Sequence, residues 1–356
     1  MSWALAIGAL VALIILHELG HFLAAKAVGM RVERFSLFFG PVIASFRRGE
    51  TEYALSALPL GGYVRITGQD PRKELPPELA PRGYFAKPPW QRIVVIAAGP
   101  LANVLVAIVL AWLAFAIYGE TVTTNHVAGP LKAPAAGVLR PGDRIVSVDG
   151  KPGQPEQIVA AISSHRCAGK PTAGCRATTP VTMVIARDGA RQTLRVRPVY
   201  DKQAQKMRVG FAFALAQHDV GPLRAASLGE SRLWDVTKAE LSVFAHIFDA
   251  KARSQLTSVV GTVDITHQLI NQDKQAALLM IALISIALAV VNLLPILPLD
   301  GGHIVWAVLD WVRKKPVSIT AMERSAMVGL ALILVLVILV MSNDISRLQD
   351  GGLNVR

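Results

Sequence analysis

The stretch SWALAIGALVALIILHELGHFLAA, residues 2–25, decides how this chain is read. It is long and apolar enough for a membrane helix, yet it carries His17, Glu18 and His21. On a helix, His17 and His21 stand four residues apart and share a face, so both imidazoles can grip one metal ion. Glu18 beside them can take a proton from a water molecule activated by that metal. Glu18 is the single acidic or basic residue of the stretch apart from the two histidines. A carboxylate at membrane depth is costly and marks a functional site by default. The H-E-x-x-H pattern of zinc hydrolases in this setting points to hydrolysis within a membrane.

Composition agrees with a membrane protein that has a soluble portion. Of 356 residues, 52% are apolar and 17% charged, below the roughly 25% charged residues of soluble domains. The net charge of +12 is spread through loops and the central segment. With no dense basic block and no interleaved aromatics, it predicts a solvated surface and attraction to membrane lipid, not a nucleic-acid partner. Four spans are expected, at about Ser2–Ala25, Ile93–Tyr118, Ala276–Leu299 and Ser325–Ser342. The first lacks the basic flank and cleavage site of a signal peptide and is expected to be retained. The segment from Lys26 to Arg92 holds eleven Lys and Arg, and the loop between the last two spans holds Arg313, Lys314, Lys315 and Arg324. The positive-inside rule places both on the cytoplasmic side of the membrane and both termini outside.

The expected organisation is an N-terminal membrane half (1–119), a soluble extracytoplasmic domain (120–220), amphipathic connecting helices (221–275) and a C-terminal membrane half (276–356). Residues 31–67 are rich in aromatic and β-branched side chains, with Gly40-Pro41 and Gly61-Gly62 as punctuation. They predict short strands and turns, either as a hairpin or sheet dipping into the membrane or as an ordinary cytoplasmic hairpin. A Pro-rich polar loop follows. In the soluble domain, LRPGDRIVSVDG (139–150) predicts a turn, a strand over Arg144–Val148 and a second turn. A helix over Pro155–Ser163 and strands over Val181–Arg187 and Gln192–Arg197 follow. This α+β arrangement resembles a PDZ domain. Such domains take an extended peptide or C-terminus along a sheet edge, although a purely steric role is equally open. Cys167 and Cys175 close a short loop there, as a disulfide or as two free thiols. His218, His246 and His267 are isolated from one another and carry no ligand pattern.

A catalytic zinc takes three protein ligands and keeps one position open. The best third ligand is Asp300, in NLLPILPLDGGH (292–303), with His303 as second choice. Prolines interrupt helical hydrogen bonding there, and a broken helix at membrane depth lines a site.

Taken together, HELGH (17–21), LPLGGYV (58–64), AAGPLAN (97–103), the PDZ-like segment, NLLPILPLDGGH and NDISRL (343–348) resemble the bacterial site-2 protease family. These are intramembrane zinc metalloproteases, RseP-like, and this chain is similar to the single-PDZ form. The resemblance covers almost the whole chain. It implies a polytopic α-helical protein with four transmembrane helices, a membrane-associated β-hairpin or sheet and one PDZ domain. It implies zinc held by His17, His21 and Asp300, with Glu18 as general base. It also implies Asn292 beside the substrate backbone, and Gly61 and Gly62 in a strand that engages substrate. The implied substrates are single-pass membrane proteins: anti-sigma factors already cut outside the membrane, or remnant signal peptides. Two rival readings stand beside it. One is a membrane-anchored PDZ adaptor with an inactive metal site. The other is a zinc transporter or non-peptidase hydrolase, against which the absence of an inverted repeat argues.

Overall fold

The computed structural model describes residues 2–70, 72, 74–245, 259–315 and 317–349. Residues 246–258, which include His246, and 350–356 lie outside that set, as do the side chains of residues 342–349 within the NDISRL tail. The chain divides into two units. One combines residues 1–117 with 221–356, and the other spans 118–220.

In the first unit, α1 (Ser2–Ala27) buries Ala6, Leu13, His17, His21 and Ala25 along one stripe. Trp3, Leu5, Ile7 and Leu23 are exposed on its other faces. Apolar exposure on this scale suits acyl chains and not water. Among the described residues, four helices are long and apolar enough to cross a membrane: Ser2–Ala27, Pro89–Tyr118, Lys274–Asn292 and Ile319–Ile338.

Between the first two of these helices the chain forms β1 (Val32–Arg48) and β2 (Thr51–Ile66). The expected short strands are instead two long ones. Their hairpin turn is Gly49-Glu50, with Arg48 opposite Thr51, and Gly49 takes the positive φ that a two-residue turn asks for. Gly40 and Gly61 also have positive φ but fall inside the strands, at register shifts. They bend the backbone without ending it, as β-bulges do. Residues 34–37 consequently face two partners: Gly62 to Arg65 on one side and Glu52 to Leu55 on the other. Phe22, Met30, Val32, Phe35, Ile66 and Tyr84 close the core between the sheet and the helices.

α2 (Pro89–Tyr118) fully buries Ala107, Ala111 and Ala114. Small side chains let helix backbones approach closely where no hydrophobic effect drives packing. The rest of the unit is helical. α4 (Pro222–Ala245) and α5 (Val259–Gln272) are followed by α6 (Lys274–Asn292), whose first turn is capped by Asp273 accepting from Ala276 N at 3.0 Å. The third span is shorter than the expected Ala276–Leu299, because α6 stops at Asn292. Leu293 to Leu299 form a turn, and α7 (Asp300–Arg313) starts at Asp300 itself. The turn folds so tightly onto the start of α7 that a methyl at Gly301 would overlap the Leu293 carbonyl. Finally α8 (Ile319–Gln349) begins earlier than the expected Ser325.

The second unit contains one α-helix, α3 (Pro155–Ser164), and eight strands: β3 (Glu120–Ala128), β4 (Arg144–Val148), β5 (Lys151–Pro152), β6 (Val181–Arg187), β7 (Ala190–Val196), β8 (Val199–Asp201), β9 (Lys206–Arg208) and β10 (Ala212–His218). The main sheet runs β10-β3-β4-β6-β7, with β5 added to β4, and β8 pairs with β9 apart from it. α3 (Pro155–Ser164) starts on a proline, which suits a first turn. It buries Ile158, Ala161 and Ile162 at helical spacing in a core with Val127, Ile145, Val148, Met183 and Ile185. At the turn before β4, buried Asp143 accepts from Arg187 Nε at 2.8 Å and Nη2 at 2.7 Å, and from the Arg140 backbone N at 2.7 Å. The Arg187 guanidinium holds its carboxyl below the usual carboxylate range. Cys167 and Cys175 are joined by a disulfide, their Cα atoms 6.2 Å apart.

Candidate active site

α1 delivers His17 and His21 to the interior, 7% and 8% exposed. Their rings cross at 86°, which turns both Nε2 atoms toward one point. The first residue of α7 supplies Asp300 to the same point. His17 Nε2 and His21 Nε2 are 3.3 Å apart, and Asp300 Oδ2 is 3.2 Å from the first and 3.3 Å from the second. Tetrahedral zinc with bonds of about 2.0–2.1 Å sets its ligand atoms about 3.3–3.4 Å apart. The triangle has that size. Asp300 Oδ2 is buried and takes no well-formed hydrogen bond, so its lone pairs are aimed at the centre of the trio. The donor set of two imidazoles and a carboxylate suits zinc. Among the described residues, this is the one group of three or more such side chains close enough to hold a metal ion.

The other imidazole nitrogens fix the rings. His21 Nδ1–H donates to the Val95 carbonyl of α2 at 2.9 Å, leaving Nε2 free to ligate. The Asn103 amide, also on α2, lies 3.2 Å from His17 Nδ1. A histidine that ligates through Nε2 carries its proton on Nδ1. Asn103 Oδ1 is fully buried without another partner, so a half-turn of the amide satisfies both groups. The Ser285 hydroxyl donates to the Asn103 carbonyl at 2.8 Å and ties α6 to this point.

Asn103 and Gly99, both within AAGPLAN, touch His17 and His21 from α2, and the sequence alone assigns neither a role. The available signal was an asparagine inside an apolar span. Gly99 stands against His21, where any methyl would overlap the ring at Nε2. Gly99→Ala is therefore expected to push the ring off the metal position and to weaken zinc retention about 10–100-fold, as loss of an outer partner does. Zinc titration against a competing chelator checks this.

A cavity of about 680 Å³ opens at the trio, and Glu18, Gly61, Gly62, Asn292 and His303 lie on its wall. All the site residues expected from the sequence in this unit thus share one space. His303 stays outside the trio itself. Gly62 is a close neighbour of Glu18: a Cβ there would sit 2.8 Å from Glu18 Cγ and 3.0 Å from the Ser36 carbonyl. The absence of a side chain lets β2 run directly beside the carboxylate.

The arrangement is that of a membrane metallohydrolase, with a metal trio, a carboxylate beside it, and a cavity walled by a strand. Comparison with known proteins makes the assignment specific. The model of Peptidase family M50 matches residues 5–336. A protein of Nostoc sp. (strain PCC 7120), named as a candidate zinc metalloprotease, is 32% identical over 362 residues, covering 98% of this chain and 97% of its own. One of Rhizobium meliloti (strain 1021), named likewise, is 30% identical over 362 residues, with 94% of each chain covered. The Regulator of sigma-W protease RasP of Bacillus subtilis (strain 168) is 28% identical over 418 residues, with 94% and 96% covered. The chain belongs to peptidase family M50, the site-2 proteases. It is a multi-pass membrane enzyme, a zinc-dependent intramembrane metalloprotease.

Proposed function

We propose that His17, His21 and Asp300 are the zinc ligands and that Glu18 is the general base for cleavage of transmembrane segments in single-pass membrane proteins. The observation that carries this reading is the 3.2–3.3 Å triangle of Nε2, Nε2 and Oδ2 atoms beside Glu18. When bound there, zinc supplies Lewis acidity that activates water and polarises a peptide carbonyl. Glu18 accepts the proton of the attacking water and passes it to the leaving amide nitrogen. Asn292, on the same cavity wall, donates to the substrate backbone. A helical substrate has its backbone groups tied to one another and must unwind before attack. The strand holding Gly61 and Gly62 takes up the freed groups by strand addition.

Natural substrates of this chemistry are anti-sigma factors after a first cut, or remnant signal peptides. The name of the Bacillus relative, Regulator of sigma-W protease, favours the former. The second unit is read as a PDZ-type module facing outward, taking peptide C-termini or screening access to the membrane unit. The metal trio faces the cytoplasmic side.

The test is a proteoliposome assay with a tagged single-pass substrate, a chelator arm and zinc re-addition. Cleavage within the membrane segment that stops with chelator and returns with zinc is expected. Binding of the substrate without cleavage in every arm would favour the adaptor reading.

A further inference from the structure

The membrane unit holds a second cavity, of about 800 Å³, where α2 and α8 begin and α7 ends. It shares no lining residue with the cavity of the metal trio. Pro89 and Ile319, the first residues of two membrane-spanning helices, both line it. The cavity therefore lies where apolar spans give way to water. Two helix N-termini converge there, and each brings partial positive charge.

The side chains add to that charge. Lys87, Arg92, Lys314 and Lys315 line the cavity against a single carboxylate, Asp310. Both oxygens of Asp310 are engaged: Oδ2 accepts from Arg92 Nη1 at 2.9 Å, and Oδ1 from Val317 N at 2.8 Å. This pair cancels Arg92 and leaves three lysines in excess. Among the described residues, no carboxylate pairs with Lys87, Lys314 or Lys315. Arg92 is 7% exposed and lies over the Phe85 ring at 5.5 Å, with its Nε–H left without a partner. Lys314 has a φ of 53°, which ends α7 abruptly and turns the chain toward α8. Trp311, 56% exposed, supplies an amphipathic ring of the kind that settles at headgroup level. Beyond the cavity, Met327 and Val328 of α8 are 65% and 62% exposed.

We propose that this cavity seats the headgroup of an anionic phospholipid, with the phosphate among Lys87, Lys314 and Lys315 and the acyl chains along the exposed flank of α8. Basic pockets between membrane helices recognise such headgroups. Free phosphate offers the same oxygens but nothing for the apolar flank. A zwitterionic lipid offers chains, but its own amine offsets the phosphate. The seat also has a structural consequence. Asp310 belongs to the helix that begins with Asp300, so an occupant here braces α7 against α2 from below the metal trio.

The experiment uses the full-length protein in a neutral detergent. Native mass spectrometry and thermal unfolding are followed with added phosphatidylglycerol, phosphatidylcholine or inorganic phosphate. Wild type is expected to retain phosphatidylglycerol selectively and to melt at a higher temperature with it. The triple variant Lys87→Gln, Lys314→Gln, Lys315→Gln is expected to bind it roughly a hundredfold more weakly while keeping its zinc. Equal affinity in the variant, or equal retention of phosphatidylcholine by wild type, overturns the proposal. So does full displacement of the lipid by millimolar phosphate, which assigns the seat to the free anion. If the triple variant fails to fold, Lys315→Gln and a salt titration of wild type replace it. Phosphatidylglycerol affinity independent of salt then counts against the seat.

Discussion

Replacing Glu18 with glutamine is expected to abolish cleavage of a transmembrane substrate while leaving zinc content unchanged. The amide keeps the shape of the carboxylate and its place beside Gly62, but it cannot accept a proton from water. General-base loss alone costs about 10²–10⁴-fold in rate. No histidine of the trio can substitute, because both Nε2 atoms converge with Asp300 Oδ2. Single-turnover cleavage in proteoliposomes, with elemental analysis on the same sample, measures both quantities. Wild-type rate in the variant would falsify the assignment of Glu18. Loss of zinc would instead show that Glu18 holds the site together and does not serve as its base.

Asp300→Ala is expected to empty the site. Two imidazoles remain, and a third donor is needed to complete a catalytic set. Loss of an outer partner costs about 10–100-fold in affinity, and loss of a ligand costs more. The variant should also stop cleaving, since the open coordination position no longer faces a fixed metal. Zinc measured after purification and dialysis reads this directly. Unchanged zinc would move the third ligand to His303, which stands on the same cavity wall. Asp300→Ala in a His303→Ala background separates the two outcomes.

The histidine pair and Glu18 were legible because their chemistry is local in sequence. H-E-x-x-H needs only a helix to bring two rings together, and the apolar run around it supplied that helix. Asp300 was legible through the prolines before it, which told that the span breaks where a polar group appears. The second layer was harder. Asn103 and Gly99 act on His17 and His21 from another helix, and the spacing within α2 says nothing about which face meets α1. The β region shows the opposite failure. Gly40-Pro41 and Gly61-Gly62 signal turns in sequence, but the same residues serve bulges equally well. Only the pairing of residues 34–37 with two partners distinguishes the cases. The end of α6 at Asn292 was blurred for a similar reason, because Leu293 to Leu299 are as apolar as the helix they follow.

The trio has a further meaning in the time order of synthesis. His17 and His21 leave the ribosome long before Asp300 does. N-terminal segments fold first as a chain is made, so the first helix enters the membrane long before α7 exists. During that interval the nascent chain carries two of the three proposed ligands and is expected to leave its neighbours uncut. Synthesis of α7 is therefore the step that brings the proposed ligand set together, and a ribosome that stalls before Asp300 is expected to leave behind an inert membrane protein.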